Sequence, residues 1–224
     1  MDCLQWMTCL TQKLQAAFGK RLLFVGLQGS YQRGEATAQS DIDVVVLLDA
    51  VHIRELSLYR SILAGMPWNE RACGFICGKK EFAHWPKHEI FRFCQDTRAF
   101  YGSLEGLAPS ITRADIQESL RIGAANLYHE VCHHYLYGNG SAEPLKGAYK
   151  NAFFLLQIWY YLVFGKYVQT RRELLPLLHG PEAELLNRII CWDEQTQERG
   201  EHPERWFEPL LNWSSGLLTD EGAK

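Results

Sequence analysis

The feature that most constrains this chain is the run Ser40-Asp41-Ile42-Asp43-Val44-Val45-Val46-Leu47-Leu48. A β-branched aliphatic run of this length, bounded by polar residues and without helical periodicity, reads as a buried strand. In a strand from Asp41 to Leu48 side chains alternate between faces, so Asp41 and Asp43 share one side while Ile42 and Val44 share the other. A second apolar run, Leu22 to Leu27, ends at Gly29-Ser30, and a polar stretch with another glycine, Gly34, connects the two.

Two neighbouring carboxylates repel and are costly to bury. They make sense at the mouth of a strand when a divalent cation sits between them and a polyphosphate. Gly29 and Ser30 supply the other half of that chemistry. Glycine lets backbone N–H groups approach phosphate oxygens, a hydroxyl adds a donor, and a helix starting there favours anions. The bland alternative is a turn followed by an accidental pair of strand-edge aspartates.

Gly-Ser, ten intervening residues and Asp-x-Asp on a hydrophobic strand resembles the signature of the DNA polymerase β-type nucleotidyltransferase superfamily. The resemblance implies that Gly29 and Ser30 hold phosphates, that Asp41 and Asp43 are catalytic and bind Mg²⁺, and that ATP or another nucleoside triphosphate is the co-substrate. It also implies a third carboxylate on a neighbouring strand, as metal ligand or general base. The antibiotic adenylyltransferases carry it on strand three, where this chain reads Ala72-Cys73-Gly74-Phe75-Ile76-Cys77 without an acid. Glu89, at the head of an expected fourth strand Glu89-Ile90-Phe91-Arg92-Phe93, is the favoured replacement, with Glu81 and Glu70 as alternatives.

The 224 residues, 47% apolar and 22% charged, are ordinary globular composition for one large domain or two small ones. The net charge of −3 gives no support for a general nucleic-acid binder. Seven cysteines without a Cys-x-x-Cys pair read as reduced thiols. No signal peptide and no membrane span are expected, and the reading is cytoplasmic.

Along the chain, Leu4, Met7, Leu10, Leu14 and Phe18 fall at helical spacing. Strands are expected over 22–27, 41–48, 72–77 and 89–93, with helices over 31–38, 51–64 and 81–85. Interleaved strands and helices suggest a sheet domain over 1–108. After Pro109 the pattern is only helical. Thr112-x-x-Asp115 opens a helix over 113–137 with a capping-box-like start. A polar linker, 138–144, leads to a very apolar helix over 145–164, and further helices are expected over 171–178, 182–198 and 205–218. The fold class is therefore α+β: a nucleotidyltransferase domain with a mixed sheet and flanking helices, then an all-α bundle over 109–224.

The helical half carries its own resemblance. Leu156-Gln157-Ile158-Trp159-Tyr160 and Val163-Phe164-Gly165-Lys166 are similar to the C-terminal domain of aminoglycoside (streptomycin/spectinomycin-type) adenylyltransferases. That family implies AMP transfer from ATP to a hydroxyl of a small molecule, with release of pyrophosphate. Gln157 departs from the pattern, since a basic phosphate-contacting residue is expected there. Arg33, Lys146, Lys150, Lys166, Arg171 and Arg172 are the available cations, with Arg33, Lys150 and Arg171 taken as nucleotide-binding. Trp159, Tyr160, Glu130 and Asp193 are candidates for an acidic, aromatic cleft that suits a cationic acceptor. The expected partners are a nucleoside triphosphate and a small-molecule acceptor, in a monomer or homodimer.

Two other classes remain. The absence of an acid on strand three favours a catalytically degenerate, regulatory protein like the nucleotidyltransferase-like antitoxins. His129-Glu130-Val131-Cys132-His133 matches the zincin His-Glu-x-x-His pattern, though no third ligand stands at a characteristic spacing.

Overall fold

Asp2 starts the chain's first helix. Its carboxylate accepts from the Gln5 N–H (2.8 Å), and the Gln5 side chain returns to the Asp2 N–H (3.2 Å), a capping box that satisfies two terminal donors. Helix α1 (Cys3–Phe18) then buries Trp6, Met7, Leu10, Leu14 and Phe18 along one stripe. The computed structural model describes residues 2–138 and 141–219. Residues 139 and 140 of the expected linker lie outside them. The chain divides into two units at Ile111/Thr112.

In the first unit α1 is followed by β1 (Leu22–Gln28), α2 (Gly29–Arg33), β2 (Ile42–Leu48), α3 (Ile53–Ala64), β3 (Ala72–Gly78), α4 (Lys79–Ala83), α5 (Lys87–Gln95) and β4 (Arg98–Gly102). The strands form one sheet in the order β3-β2-β1-β4. β1 runs antiparallel to β2 and β4, while β2 and β3 are parallel, so the sheet is mixed.

β2 is buried on both faces because its alternation feeds two cores. Ile42, Val44, Val46 and Leu48 pack with the α1 stripe and with Tyr59, Ile62 and Leu63 of α3. Val45 and Leu47 pack on the other face with Phe24, Cys77, Phe82 of α4 and Ile90 of α5. Asp43 alternates with Val45 and so belongs to the α4–α5 face.

The expected strand over 89–93 is a helix. Pro86 is the N-cap of α5, and Ile90 and Phe91 are buried by it. Five residues of polar–apolar alternation fit a helix as well as a strand, because Ile90, Phe93 and Cys94 also recur at i, i+3 and i+4. The fourth strand is β4 instead, at the sheet edge beside β1. Two smaller differences concern the catalytic stretch. Asp41 immediately precedes β2 rather than lying in it, and the short helix after β1 spans Gly29–Arg33 instead of 31–38.

The second unit is helical: α6 (Arg113–Tyr137), α7 (Leu145–Phe164), α8 (Arg171–Leu174), α9 (Gly180–Ile190), α10 (Thr196–Glu201) and α11 (Glu204–Thr219). Thr112 and Asp115 close the capping box at the start of α6. The helix expected over 182–198 is broken after Ile190 by a turn, and α10 forms separately. The core centres on Tyr149, Trp192 and Trp206, whose ring centroids lie 5.3–5.6 Å apart. Tyr149 Oη donates to the Trp206 carbonyl (2.9 Å). Arg199 is 3% exposed and stacks on Trp192, while Glu143 pairs with it at 2.9 Å. A buried cation is tolerable because it is so paired. Among the described residues no helix is long and apolar enough to cross a membrane.

Gly74 marks the tightest contact in the sheet. Its φ is +132°, and a Cβ there would lie 2.0 Å from the Val44 carbonyl oxygen and 2.5 Å from the Val44 nitrogen. Both obstacles are backbone, which cannot rotate away. Gly74→Ala is therefore expected to destabilise the protein by about 3 kcal/mol, read as a lower denaturant midpoint with an unchanged slope.

Candidate active site

The site is built where β1 ends and β2 begins. Gln28, the last residue of β1, is in register with Asp43. The next residue, Gly29, turns the chain into α2 with φ +71°. A Cβ on Gly29 would lie 1.8 Å from Asp43 Oδ2. The bare Cα of the Gly-Ser turn is thus seated on the second carboxylate of the Asp-x-Asp pair. The left-handed backbone and the lack of space both require glycine. Ser30 follows in the first turn of α2, and Gly34 closes that helix. Asp41 is exposed, and Asp43 is half-buried.

Behind this corner, Gln28 Nε2 donates to Thr97 Oγ1 (2.6 Å) and to the Phe93 carbonyl (3.2 Å). The Thr97 hydroxyl donates to the same carbonyl (2.5 Å). These bonds tie the end of α5 to the end of β1. Asp96, the C-cap of α5, is a buried carboxylate next to this junction. Its sequence context gives no motif signal; only its burial singles it out.

The remaining expected residues are distributed differently. Glu89 lies on α5, exposed, and accepts from the Trp85 indole N–H at 2.7 Å. Arg33 is turned onto Glu35 (3.0 Å), with a side chain only 6% exposed. Glu70 and Glu81 are exposed, on a short 3₁₀ turn and on α4. The residue beside Asp43 on β3 is Cys73, an exposed thiol. Burial pushes the Cys77 and Cys94 thiols up, and for Cys77 the nearby Glu81 charge adds to this. Those two thiols are therefore protonated and poorly nucleophilic at neutral pH.

Lys150 and Arg171 belong to the second unit. Lys150 is exposed on α7, and the Arg171 guanidinium lies 5.3 Å from the centroid of the Phe153 ring. Lys146 pairs with Asp193 (3.1 Å), and Lys166 and Arg172 are exposed. Gln157 is fully buried and donates to the carbonyls of Val168 and Gln169 (2.8 and 2.9 Å). It anchors the segment after α7 and faces no solvent. Of the residues expected to form an acidic aromatic cleft, Trp159 lines a cavity in this unit. That cavity, about 830 Å³, is formed by α7, α9 and α11 and also holds Glu182, Glu184, Glu208 and Trp213. Tyr160 is buried against Phe164, and Glu130 lies beside His134 and Asn151. His129 and His133 are exposed, with ring centroids 6.2 Å apart. Among the described residues no group of three or more His, Cys, Asp or Glu could hold a metal ion, so the zincin pattern gains no third ligand.

Residues 12–89 match the nucleotidyltransferase domain family. That match lies within the first unit. The match spans α1 to α5 and includes Gly29, Ser30, Asp41 and Asp43. No curated protein matches the sequence. Among solved structures, the chain is similar to the spectinomycin adenyltransferase AAD(9) from Enterococcus faecialis, a structure with ATP and spectinomycin. The identity is 13% and the TM-score 0.62, over 98% of this chain and 100% of that one. At that identity the likeness speaks of fold, and it extends over both the mixed-sheet domain and the helical region.

The Gly29–Asp43 contact has a direct test. In the first unit, Gly29→Ala is expected to cost about 3 kcal/mol, from left-handed strain of about 1 kcal/mol plus the clash. In an Asp43→Ala background only the strain should remain, and a double-mutant cycle by chemical denaturation measures the difference.

Proposed function

We propose that the chain transfers a nucleoside monophosphate, AMP from ATP, to a hydroxyl of a small molecule and releases pyrophosphate. The observation that carries this reading is the Asp43 carboxylate seated against the bare Cα of Gly29, with Asp41 two residues away and the Ser30 hydroxyl one residue away. A glycine that can only be glycine, placed against an acid, puts a bare backbone turn beside carboxylate oxygens, which is what a phosphate and a cation together need.

In this reading Gly29 and Ser30 hold the polyphosphate through backbone N–H groups and the hydroxyl. Asp41 and Asp43 suit Mg²⁺, which typically takes one or two protein carboxylates and fills its other positions with water and phosphate oxygens. When bound, the ion neutralises charge on the phosphates at the reacting centre. The acceptor oxygen attacks the α-phosphorus. A new O–P bond forms as the bond to the α–β bridging oxygen breaks, and pyrophosphate leaves with that oxygen. The hydroxyl proton passes to a carboxylate. Glu89 and Asp96, at the start and the end of the helix that covers the Asp43 face, are the two acids we assign to that step for testing.

The aminoglycoside-like class of the acceptor is supported by the likeness of fold to a protein whose structure holds ATP and spectinomycin. A cytoplasmic setting agrees with seven free thiols, and a net charge of −3 agrees with a small-molecule acceptor over nucleic acid.

One observation favours a second reading, a nucleotide-binding protein without turnover. The strand neighbour of Asp43 is Cys73, and Glu89 is engaged with Trp85. The two readings separate on pyrophosphate release from ATP and Mg²⁺ with a panel of aminoglycosides, spectinomycin first. Release with at least one acceptor, falling about a thousandfold in Asp43→Asn, supports transfer. A wild type that binds ATP and releases no pyrophosphate with any acceptor supports the second reading.

A further inference from the structure

Trp68 is the only non-glycine residue with positive φ among those described (φ +59°, ψ +25°). Left-handed backbone on a bulky aromatic residue is strained and persists only where the surroundings hold it. Here two bonds hold it. The fully buried Trp6 donates its indole N–H to the carbonyl of Pro67 (2.5 Å), and the Arg71 N–H returns to the carbonyl of Trp68 (2.9 Å).

What the strained turn accomplishes is the placement of Arg71. Its guanidinium lies 5.7 Å from the Trp68 ring centroid and 5.6 Å from that of Tyr31, within cation–π range of both. Nε and Nη2 both donate to the Ser40 carbonyl, at 3.1 and 2.7 Å. Nη2 also donates to Tyr31 Oη (2.5 Å). Tyr31 belongs to α2, the helix opened by Gly29 and Ser30, and Ser40 is the residue before Asp41. One side chain therefore clasps both halves of the site. The segment between those halves, 34–41, also makes bonds close in sequence. Ser40 N–H donates to the Thr37 carbonyl (3.1 Å), Thr37 N–H to Ser40 Oγ (2.8 Å) and Glu35 N–H to the Ser30 carbonyl (2.9 Å). Local bonds of this kind shape the turn, and the Arg71 bonds to Ser40 and Tyr31 join it to the residue before β3.

We propose that Arg71 is a positioning residue: braced by Trp68, it sets the Gly-Ser helix and the approach to Asp41 in one fixed relation. Lysine cannot replace it, because a point charge on a flexible stem cannot serve a carbonyl, a phenol and two ring faces together. The effect on nucleotide binding rests on the function proposed above; the effect on backbone order does not.

Arg21 supplies the control. It makes comparable bonds at the opposite end of β2, to Asp49 (3.0 Å), Glu55 (2.9 Å) and the Ala50 carbonyl (3.3 Å). The experiment compares Arg71→Ala, Arg71→Lys, Tyr31→Phe and Arg21→Ala with wild type, well below their melting temperatures. Hydrogen exchange without nucleotide reads backbone order over 29–42, and calorimetry reads Mg²⁺·ATP affinity. Arg71→Ala is expected to speed exchange over 29–42 and to weaken affinity about tenfold. Arg71→Lys should recover little and Tyr31→Phe should lose part, while Arg21→Ala leaves both readouts at wild-type values. Unchanged exchange over 29–42 in Arg71→Ala overturns the proposal, as does an equal loss of affinity in Arg21→Ala, which marks general destabilisation. A wild type that binds no nucleotide refutes the proposed function instead, and the exchange data then decide the brace by themselves.

Discussion

The contact between the Gly29 Cα and the Asp43 carboxylate is the constraint on which the first unit depends. It joins the end of β1 to the start of β2 with no side chain in between, so the two strands must pair in the observed register for the turn to close. Burial of β2 on both faces enforces that register. A slip of one residue would exchange Val44 and Val46 with Val45 and Leu47 and carry Asp43 into the α1 core. The hydrophobic pattern that fixes the fold and the polar pattern that forms the site are therefore one strand read at its two ends. The corner is held from both sides, by Gln28 and Thr97 toward α5 and by Arg71 toward α2 and the 34–41 segment.

The second unit follows a different logic. Its core is aromatic and polar at once: Arg199 inserted beside Trp192 and Trp206, Tyr149 bonded to a backbone carbonyl, Gln157 holding the segment after α7. Breaking any of these bonds would leave a buried polar group without its partner, which is costly. Gln157 is instructive because its position suggested a departure from a phosphate-binding pattern. Its side chain is instead committed to internal carbonyls.

How much of this was legible in the sequence depended on the length of the signal. The apolar stripe of α1 and the span of α6 and α7 were readable because helical periodicity ran over many turns. β2 was readable because an uninterrupted aliphatic run leaves few alternatives. The stretch at 89–93 is ambiguous in sequence, since five residues cannot separate a period of two from one of 3.6, and Pro86 starts a helix there. Gly29, Ser30, Asp41 and Asp43 stood out because their spacing is itself a pattern. Arg71 and Trp68 did not, because a brace across 31 residues leaves no local periodicity, and a left-handed tryptophan has no signature in composition. Asp96 is silent in sequence for the same reason: only burial distinguishes it from a surface acid.

The central claim is that the corner formed by Gly29, Ser30, Asp41 and Asp43 is a metal-dependent nucleotide site. Calorimetric titration of ATP, with and without Mg²⁺, into wild type and into the Asp41→Asn, Asp43→Asn double variant tests it most directly. The account predicts binding by the wild type that requires Mg²⁺ and is lost in the double variant. Binding of equal strength in both proteins, or none by the wild type to any nucleoside triphosphate, would contradict it.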